Sequence, residues 1–126
     1  MQILIVDDHT KMRRLIREQL EALGYANVLE ADDGESALPI LDEFAVQLII
    51  TDLSMPRLNG IELTRRVRSD ARFSETRVVM ISVDASDEQA ERATAAGADC
   101  YIVKPFTAET LEQKIRDVFR RAAEAE

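Results

Sequence analysis

The sequence predicts an α/β domain, a doubly wound parallel sheet of five strands with five flanking helices. Three observations carry this reading. Five short apolar runs recur along the 126 residues, amphipathic stretches at helical spacing fill the gaps, and four of the runs lead into polar or charged residues. The runs are continuous rather than alternating, the pattern of strands covered on both faces by crossover helices.

The first run, Ile3–Val6, leads straight into the contiguous pair Asp7–Asp8. The stripe Met12, Leu15, Ile16, Leu20 and Leu23 then has helical spacing, and Gly24 closes it as a C-cap glycine does. Val28–Ala31 is the second strand. Asp32–Asp33 before Gly34 reads as a turn and N-cap for a helix opening at "ESAL". Pro39, about one turn inside, removes a hydrogen bond and predicts a local kink. Leu48–Thr51 forms the third strand and reaches Asp52 in "LIITDLSMP". The basic row Arg65, Arg66 and Arg68 belongs to a solvated helix face, as does Arg13, Arg14 and Arg17 on the first helix. Val78–Ser82 is the fourth strand, and the alanine-rich "EQAERATAAG" is a helix closed by Gly97. Tyr101–Val103, followed by Lys104, is the fifth strand; Leu111, Ile115, Val118 and Phe119 stripe the last helix. One domain is expected over residues 1–122, with 123–126 a frayed helix end or the start of a linker.

Composition narrows the function. No apolar run approaches the ~18 residues of a membrane span, and "ILIV" is too short and too soon acidic for a signal peptide. A single cysteine, Cys100, cannot form an internal disulfide, which fits a reducing cytoplasm. With His9 as its only soft partner it makes no zinc site. A formal net charge of −8 argues against nonspecific binding of nucleic acid or an anionic membrane.

The polar residues converge. Asp7 and Asp8 follow strand one, Asp52 and Ser82 end strands three and four, and Lys104 follows strand five, all at the carboxyl edge of a parallel sheet. Ligands of open α/β sheets bind at that edge, where the strand order reverses. Three neighbouring carboxylates raise the cost of ionising one another; a divalent cation and one ammonium would balance them. A hard ion such as Mg²⁺ suits oxygen ligands of this kind. With a lysine and a hydroxyl it would hold the oxygens of a phosphoryl group, and Asp52, on the central strand, is best placed as the accepting nucleophile.

In combination, "ILIVDD", "LIITDLSMPRLNG", "VVMIS" and "YIVKPF" resemble a response-regulator receiver domain, the aspartate-phosphorylated module of two-component signalling, over Met1 to about Ala122. The resemblance implies a flavodoxin-like sheet of order 2-1-3-4-5, whose reversal lies between strands one and three. It implies Asp52 as phosphoacceptor, Asp8 as direct Mg²⁺ ligand, Asp7 acting through metal-bound water, and the Ser54 backbone carbonyl completing the protein's ligands. Lys104 would pair with Asp52 and then with a phosphoryl oxygen, its bond to Pro105 being cis. Ser82 would be the hydroxyl that moves to the phosphoryl group, and Tyr101 the aromatic switch coupled to it. Ser54 and Asp84 stand at loop positions that tune phosphate lifetime. His9 is expected beside the site but not as a ligand.

The implied function is a phosphorylation-activated switch with self-catalysed phosphoryl chemistry only. Its phosphodonor would be a histidine kinase or histidine phosphotransfer protein, and its output an unidentified protein target bound by the face of the fourth helix, fifth strand and fifth helix. Neither direct nucleic-acid contact nor membrane insertion is expected, and the protein would be a monomer or a phosphorylation-induced homodimer. The alternative within this class is a receiver from a larger regulator with a transcriptional or enzymatic effector, or an intermediate carrier in a phosphorelay. Two other classes fit less well. A phosphatase resembling the haloacid dehalogenases would carry D-x-D and a cap, and a flavodoxin-like mononucleotide binder would carry a Gly/Ser/Thr-rich loop where "DDHTK" stands.

Overall fold

A computed structural model describes residues 1–125, with side chains through Arg120. In chain order the elements are β1 (Gln2–Val6), α1 (Thr10–Ala22), β2 (Asn27–Ala31), α2 (Gly34–Glu43), β3 (Leu48–Asp52), α3 (Gly60–Arg68), a 3-10 turn (Ala71–Phe73), β4 (Arg77–Ser82), α4 (Asp87–Ala96), β5 (Cys100–Val103) and α5 (Ala108–Ala125). The strands form one parallel sheet in the order β2-β1-β3-β4-β5. The sequence reading of five parallel strands and five helices therefore holds.

Side chains alternate across the sheet, so a strand covered on both faces must be apolar throughout. Ile3 and Ile5, with Leu48, Ile50, Val79 and Ile81, pack against Ile16 and Leu20 of α1 and Leu111, Ile115 and Val118 of α5. Leu4 and Val6, with Ile49 and Val78, face Ala37 and Leu41 of α2 and Leu63 and Val67 of α3. Met80 meets Ile61 of α3 and Ala93 and Ala96 of α4. Each fully buried aliphatic side chain is worth about 1.5–3 kcal/mol of transfer free energy, which holds the strand ends in fixed register.

Several details depart from the sequence reading. Four strands begin one residue earlier than the apolar runs, at Gln2, Asn27, Arg77 and Cys100, because ladder bonds need only backbone. Leu15 lies outside the α1 core stripe and is exposed. Leu23 is the C-cap of α1, and Gly24, at φ +95°, is the residue after it. Gly97 closes α4 in the left-handed region as expected. Pro39 lies inside α2, which extends on to Glu43, and the expected kink concerns its axis rather than its extent. The 3-10 turn, capped by Asp70, had no counterpart in the apolar pattern. Helix α5 continues through Ala125 in backbone, which leaves the expected frayed helix end from 123 untouched, and Glu126 lies outside the described residues.

One glycine fixes the approach of α3 to β3. A Cβ on Gly60 would lie 2.3 Å from the carbonyl oxygen of Asp52, and that oxygen belongs to backbone that cannot swing away. Gly60 also donates its N–H to the Leu53 carbonyl at 2.9 Å. Gly60→Ala is expected to lower stability by about 1–3 kcal/mol, as overpacking does. Urea unfolding monitored by circular dichroism measures this, and a loss below about 0.5 kcal/mol, inside the usual spread for surface changes, would mean that the loop relaxes freely.

Candidate functional site

The ladder pairs Val6 with Thr51, Asp52 with Ile81 and Ser82 with Val103. That register alone brings Asp7, Asp52, Ser82 and Lys104 to one stretch of the carboxyl edge. Asp7 is buried, and its Oδ1 accepts the backbone N–H of His9 at 2.8 Å. Asp52 is also buried, with Oδ1 3.0 Å from Lys104 Nζ. The same ammonium lies 3.5 Å from Oδ2 of Asp7, so one cation bridges two carboxylates. Asp8 sits at the mouth, more exposed than either. Lys104 is held in turn by its backbone N–H, which donates to the Ser82 carbonyl at 2.7 Å, and the Lys104–Pro105 bond is cis.

Burial, first, raises the Asp52 carboxyl above the usual carboxylate range, and the charges of Asp7 and Asp8 add to this; Lys104 opposes them. The charged form of Asp52 is thus disfavoured where it sits. Carboxylate oxygens of Asp7, Asp8 and Asp52, together with His9 Nδ1, all lie within 4.8 Å of one another. Ligands of a hard octahedral cation at about 2.1 Å are separated by about 3–4 Å. One oxygen from each of the three carboxylates can thus be brought to a shared divalent ion such as Mg²⁺. Ser54, whose carbonyl the resemblance adds to the ligands, is exposed two residues beyond Asp52.

Three further sets of contacts are not visible in the motifs; two lie beside the site, and the third, at Arg68, lies toward the opposite, amino-terminal edge of the sheet. Asp33 caps α2 as expected, accepting the Ser36 N–H at 2.7 Å, but its buried carboxylate also takes the Arg57 Nε at 2.7 Å. The Ser36 N–H, first, and then Arg57 hold Asp33 below its ordinary range against the opposing effect of burial. Arg57 adopts a left-handed backbone (φ +68°), and Gly34 N–H bonds the Leu58 carbonyl at 3.1 Å, so the 53–59 loop is tied to the start of α2. The pairing spans 24 residues, and no local signal announces it. Arg13 and Arg17 are also more than solvated charge. Both grip Glu30 of β2, and Arg13 reaches the Asp7 carbonyl at 2.5 Å. Arg68, half buried, bonds the Gly97 and Thr76 carbonyls and Asp99, whereas Arg65 and Arg66 are exposed as expected.

Toward β5, two bonds link the remaining predicted residues. Asp84 N–H donates to Ser82 Oγ at 3.0 Å, and the Tyr101 O–H donates to the Asp84 carbonyl at 2.6 Å. The Asp84 carboxylate is lowered from its ordinary range by the Ser86 N–H and stays at the surface. Tyr101 is half buried against Met80, Ala93 and Ala96.

This fold and this pocket define a small α/β protein that presents an acidic, lysine-closed site at its topological switch point. A family profile described as the response regulator receiver domain matches residues 3–116. Relatives include the chemotaxis protein CheY of Pseudomonas aeruginosa, 46% identical over 96% of this chain and 98% of that protein. CheY-3 of Vibrio cholerae is 45% identical over 96% of this chain and 93% of that protein. Among solved structures, V. cholerae CheY4 superposes with a TM-score of 0.86 at 32% identity, covering 93% of this chain and 97% of that one. A response regulator/GGDEF domain protein superposes at 0.88 and 27% identity, covering 96% of this chain and 50% of that one. The chain belongs to the response-regulator receiver family. It is a phosphorylation-activated switch of two-component signalling, and Asp7, Asp8 and Asp52 fit that family's phosphorylation site. Among the described residues no helix is long and apolar enough to cross a membrane.

The raised Asp52 carboxyl has a consequence for stability. A group whose folded-state pKa exceeds its unfolded value favours folding when protonated, and that contribution disappears as pH rises through the folded value. Ionised Asp52 therefore opposes folding at neutral pH. Asp52→Asn is expected to raise the urea midpoint at pH 7, with a gain that shrinks as pH falls toward 4. A gain that grows at low pH would contradict the sign.

Proposed function

We propose that Asp52 is the single phosphoacceptor, with Mg²⁺ held by Asp8 and Asp52, by Asp7 through water, and by the Ser54 carbonyl. The observation that carries this reading is Asp52 itself, buried on the central strand beside Lys104 and two other carboxylates. An Asp52 oxygen attacks the phosphorus of a phosphohistidine on a histidine kinase or phosphotransfer protein. The O–P bond forms, the N–P bond breaks, and the leaving imidazole keeps the electron pair and takes a proton. Bound Mg²⁺ supplies charge neutralisation of the phosphoryl oxygens. Lys104 turns from the carboxylate to a phosphoryl oxygen, its short reach fixed by the backbone bond to Ser82. Water later attacks phosphorus, breaks the acyl phosphate P–O bond and restores Asp52. Ser54 and Asp84 flank the approach of that water and set the lifetime. No other substrate is turned over.

The output follows the two hydrogen bonds toward β5. A phosphoryl group on Asp52 offers the Ser82 hydroxyl a new acceptor, and Ser82 Oγ is bonded to the Asp84 peptide that also holds the Tyr101 phenol. Movement of Ser82 toward Asp52 pulls on that peptide and draws Tyr101 further inward. The α4–β5–α5 face is thereby reshaped for a protein target or a second copy of the chain. A ligand shifts such an equilibrium only by its differential interaction with the two states, and here Ser82 supplies the difference.

Relatives matched along nearly their whole length are chemotaxis proteins, which supports a chemotaxis-type regulator acting by protein contact. A second reading, a receiver within a larger regulator or relay, is supported by the GGDEF regulator, of which this chain matches half.

Two measurements test the proposal. Incubation with acetyl phosphate and Mg²⁺ is expected to add one phosphoryl mass to the parent and none to Asp52→Asn; undiminished labelling of that variant would remove the assignment. Ser82→Ala is expected to be labelled still, yet to lose most of the amide-exchange change at residues 84–110 that beryllofluoride produces in the parent. A full response in that variant would place the coupling elsewhere.

A further inference from the structure

The amino-terminal edge of the sheet, opposite the acidic pocket, carries a groove that the switch does not use. It runs between the end of α2 and the 3-10 turn, and it is lined by Val46 and Thr76, which lead into β3 and β4. One lobe has a volume of about 480 Å³, inside the range of about 300–1,000 Å³ in which ligand pockets fall. Leu41 and Val46 are buried in its lining, Phe73 is half buried, and Phe44 is 39% exposed. Among the described residues Phe44 is the one exposed aromatic side chain. The walls are preformed. Thr76 Oγ donates to the Val46 carbonyl at 3.2 Å, Arg68 Nη1 donates to the Thr76 carbonyl at 2.7 Å, and the Phe44 N–H donates to the Ile40 carbonyl at 2.9 Å.

Charge is uneven around this groove. Arg72 bridges it, bonding Asp42 of α2 at 2.9 Å and Asp70 at 2.8 Å, with its guanidinium 4.9 Å from the centre of the Phe73 ring. On one side of the bridge, Arg66 and Arg72 balance Asp42 and Asp70. On the Phe44 side Glu43 and Glu75 join Asp42, and Arg72 is the only cation in the lining. Neither glutamate has an ion-pair partner among the described residues. Aromatic anchors carry much of the energy of protein interfaces, and charge at the rim selects and orients the partner. We infer that the Phe44 lobe docks a segment of a partner protein in which a large apolar side chain is flanked by lysine or arginine. The apolar side chain rests on Phe44 and Phe73, and its cationic neighbours meet Glu43 and Glu75. An acidic segment is repelled there, and a second copy of this chain, at net charge −8, is disfavoured for the same reason. The groove is separate from the α4–β5–α5 face, so docking there leaves that face free.

The test is an amide ¹H–¹⁵N shift titration of the full chain with end-blocked peptides Lys-Leu-Phe-Lys, Lys-Ser-Ser-Lys and Glu-Leu-Phe-Glu. Millimolar Lys-Leu-Phe-Lys is expected to give saturable shifts at Phe44, Gln47 and Glu75, and the other two peptides are expected to give none. Glu43→Gln combined with Glu75→Gln, a change confined to exposed side chains, is expected to weaken this binding about threefold or more, the scale of two exposed ion pairs. Absence of saturable shifts, equal binding of Glu-Leu-Phe-Glu or Lys-Ser-Ser-Lys, or unchanged affinity in the double variant would overturn the inference. So would shifts gathered on the α4–β5–α5 face instead. Shifts at the same groove residues that grow with protein concentration and no peptide would also overturn it, because the occupant would then be a second copy of the chain.

Discussion

Mutual repulsion among Asp7, Asp8 and Asp52 is the constraint from which the rest of the site follows. Two of these carboxylates are buried, where a lone negative charge is costly, and only Lys104 stands between them. One ammonium cannot satisfy three carboxylates. The protein holds the arrangement because the core below it is rigid, with aliphatic side chains on both faces of β1 and β3. A cation that lowers this repulsion, and a phosphoryl group that brings its own oxygens to the lysine, therefore meet a site already organised for them.

The same constraint explains the supporting contacts. Arg13 steadies the Asp7 peptide from α1, and Arg57 with Asp33 holds the 53–59 loop from α2. Gly60 lets α3 start hard against the Asp52 carbonyl. Each restrains backbone next to a carboxylate that would otherwise move away from its neighbours. On the other side the restraint is lighter: Ser82, Asp84 and Tyr101 are linked by single hydrogen bonds through a surface loop. Regions that move are drawn from the less stable parts of a fold, so the lighter hydrogen bonding on this side suits the output proposed above.

Much of this was legible in the sequence because the signals were local. Continuous apolar runs gave the strands, and the polar residues at their ends gave Asp7, Asp8, Asp52, Ser82 and Lys104. The order of the strands came from the family resemblance, since periodicity carries no information about which strand lies beside which. What escaped the reading was long-range or geometric. Arg57 looks like a loop cation until the fold brings it to Asp33, and Arg13 and Arg17 look solvated until β2 delivers Glu30. Leu15 fits the helical stripe by spacing, yet falls beyond the reach of the sheet. The 3-10 turn at Ala71–Phe73 is too short to leave a periodic trace.

If carboxylate repulsion is the governing constraint, relieving it must stabilise the fold itself. The most direct measurement is the urea unfolding midpoint of the parent and of Lys104→Met, each with and without millimolar Mg²⁺. Ligand that binds only the folded state stabilises it in proportion to its occupancy. The account predicts that Mg²⁺ raises the midpoint of both proteins, and raises it more in Lys104→Met, where no ammonium shares the carboxylates. A midpoint indifferent to Mg²⁺ in both proteins would contradict it.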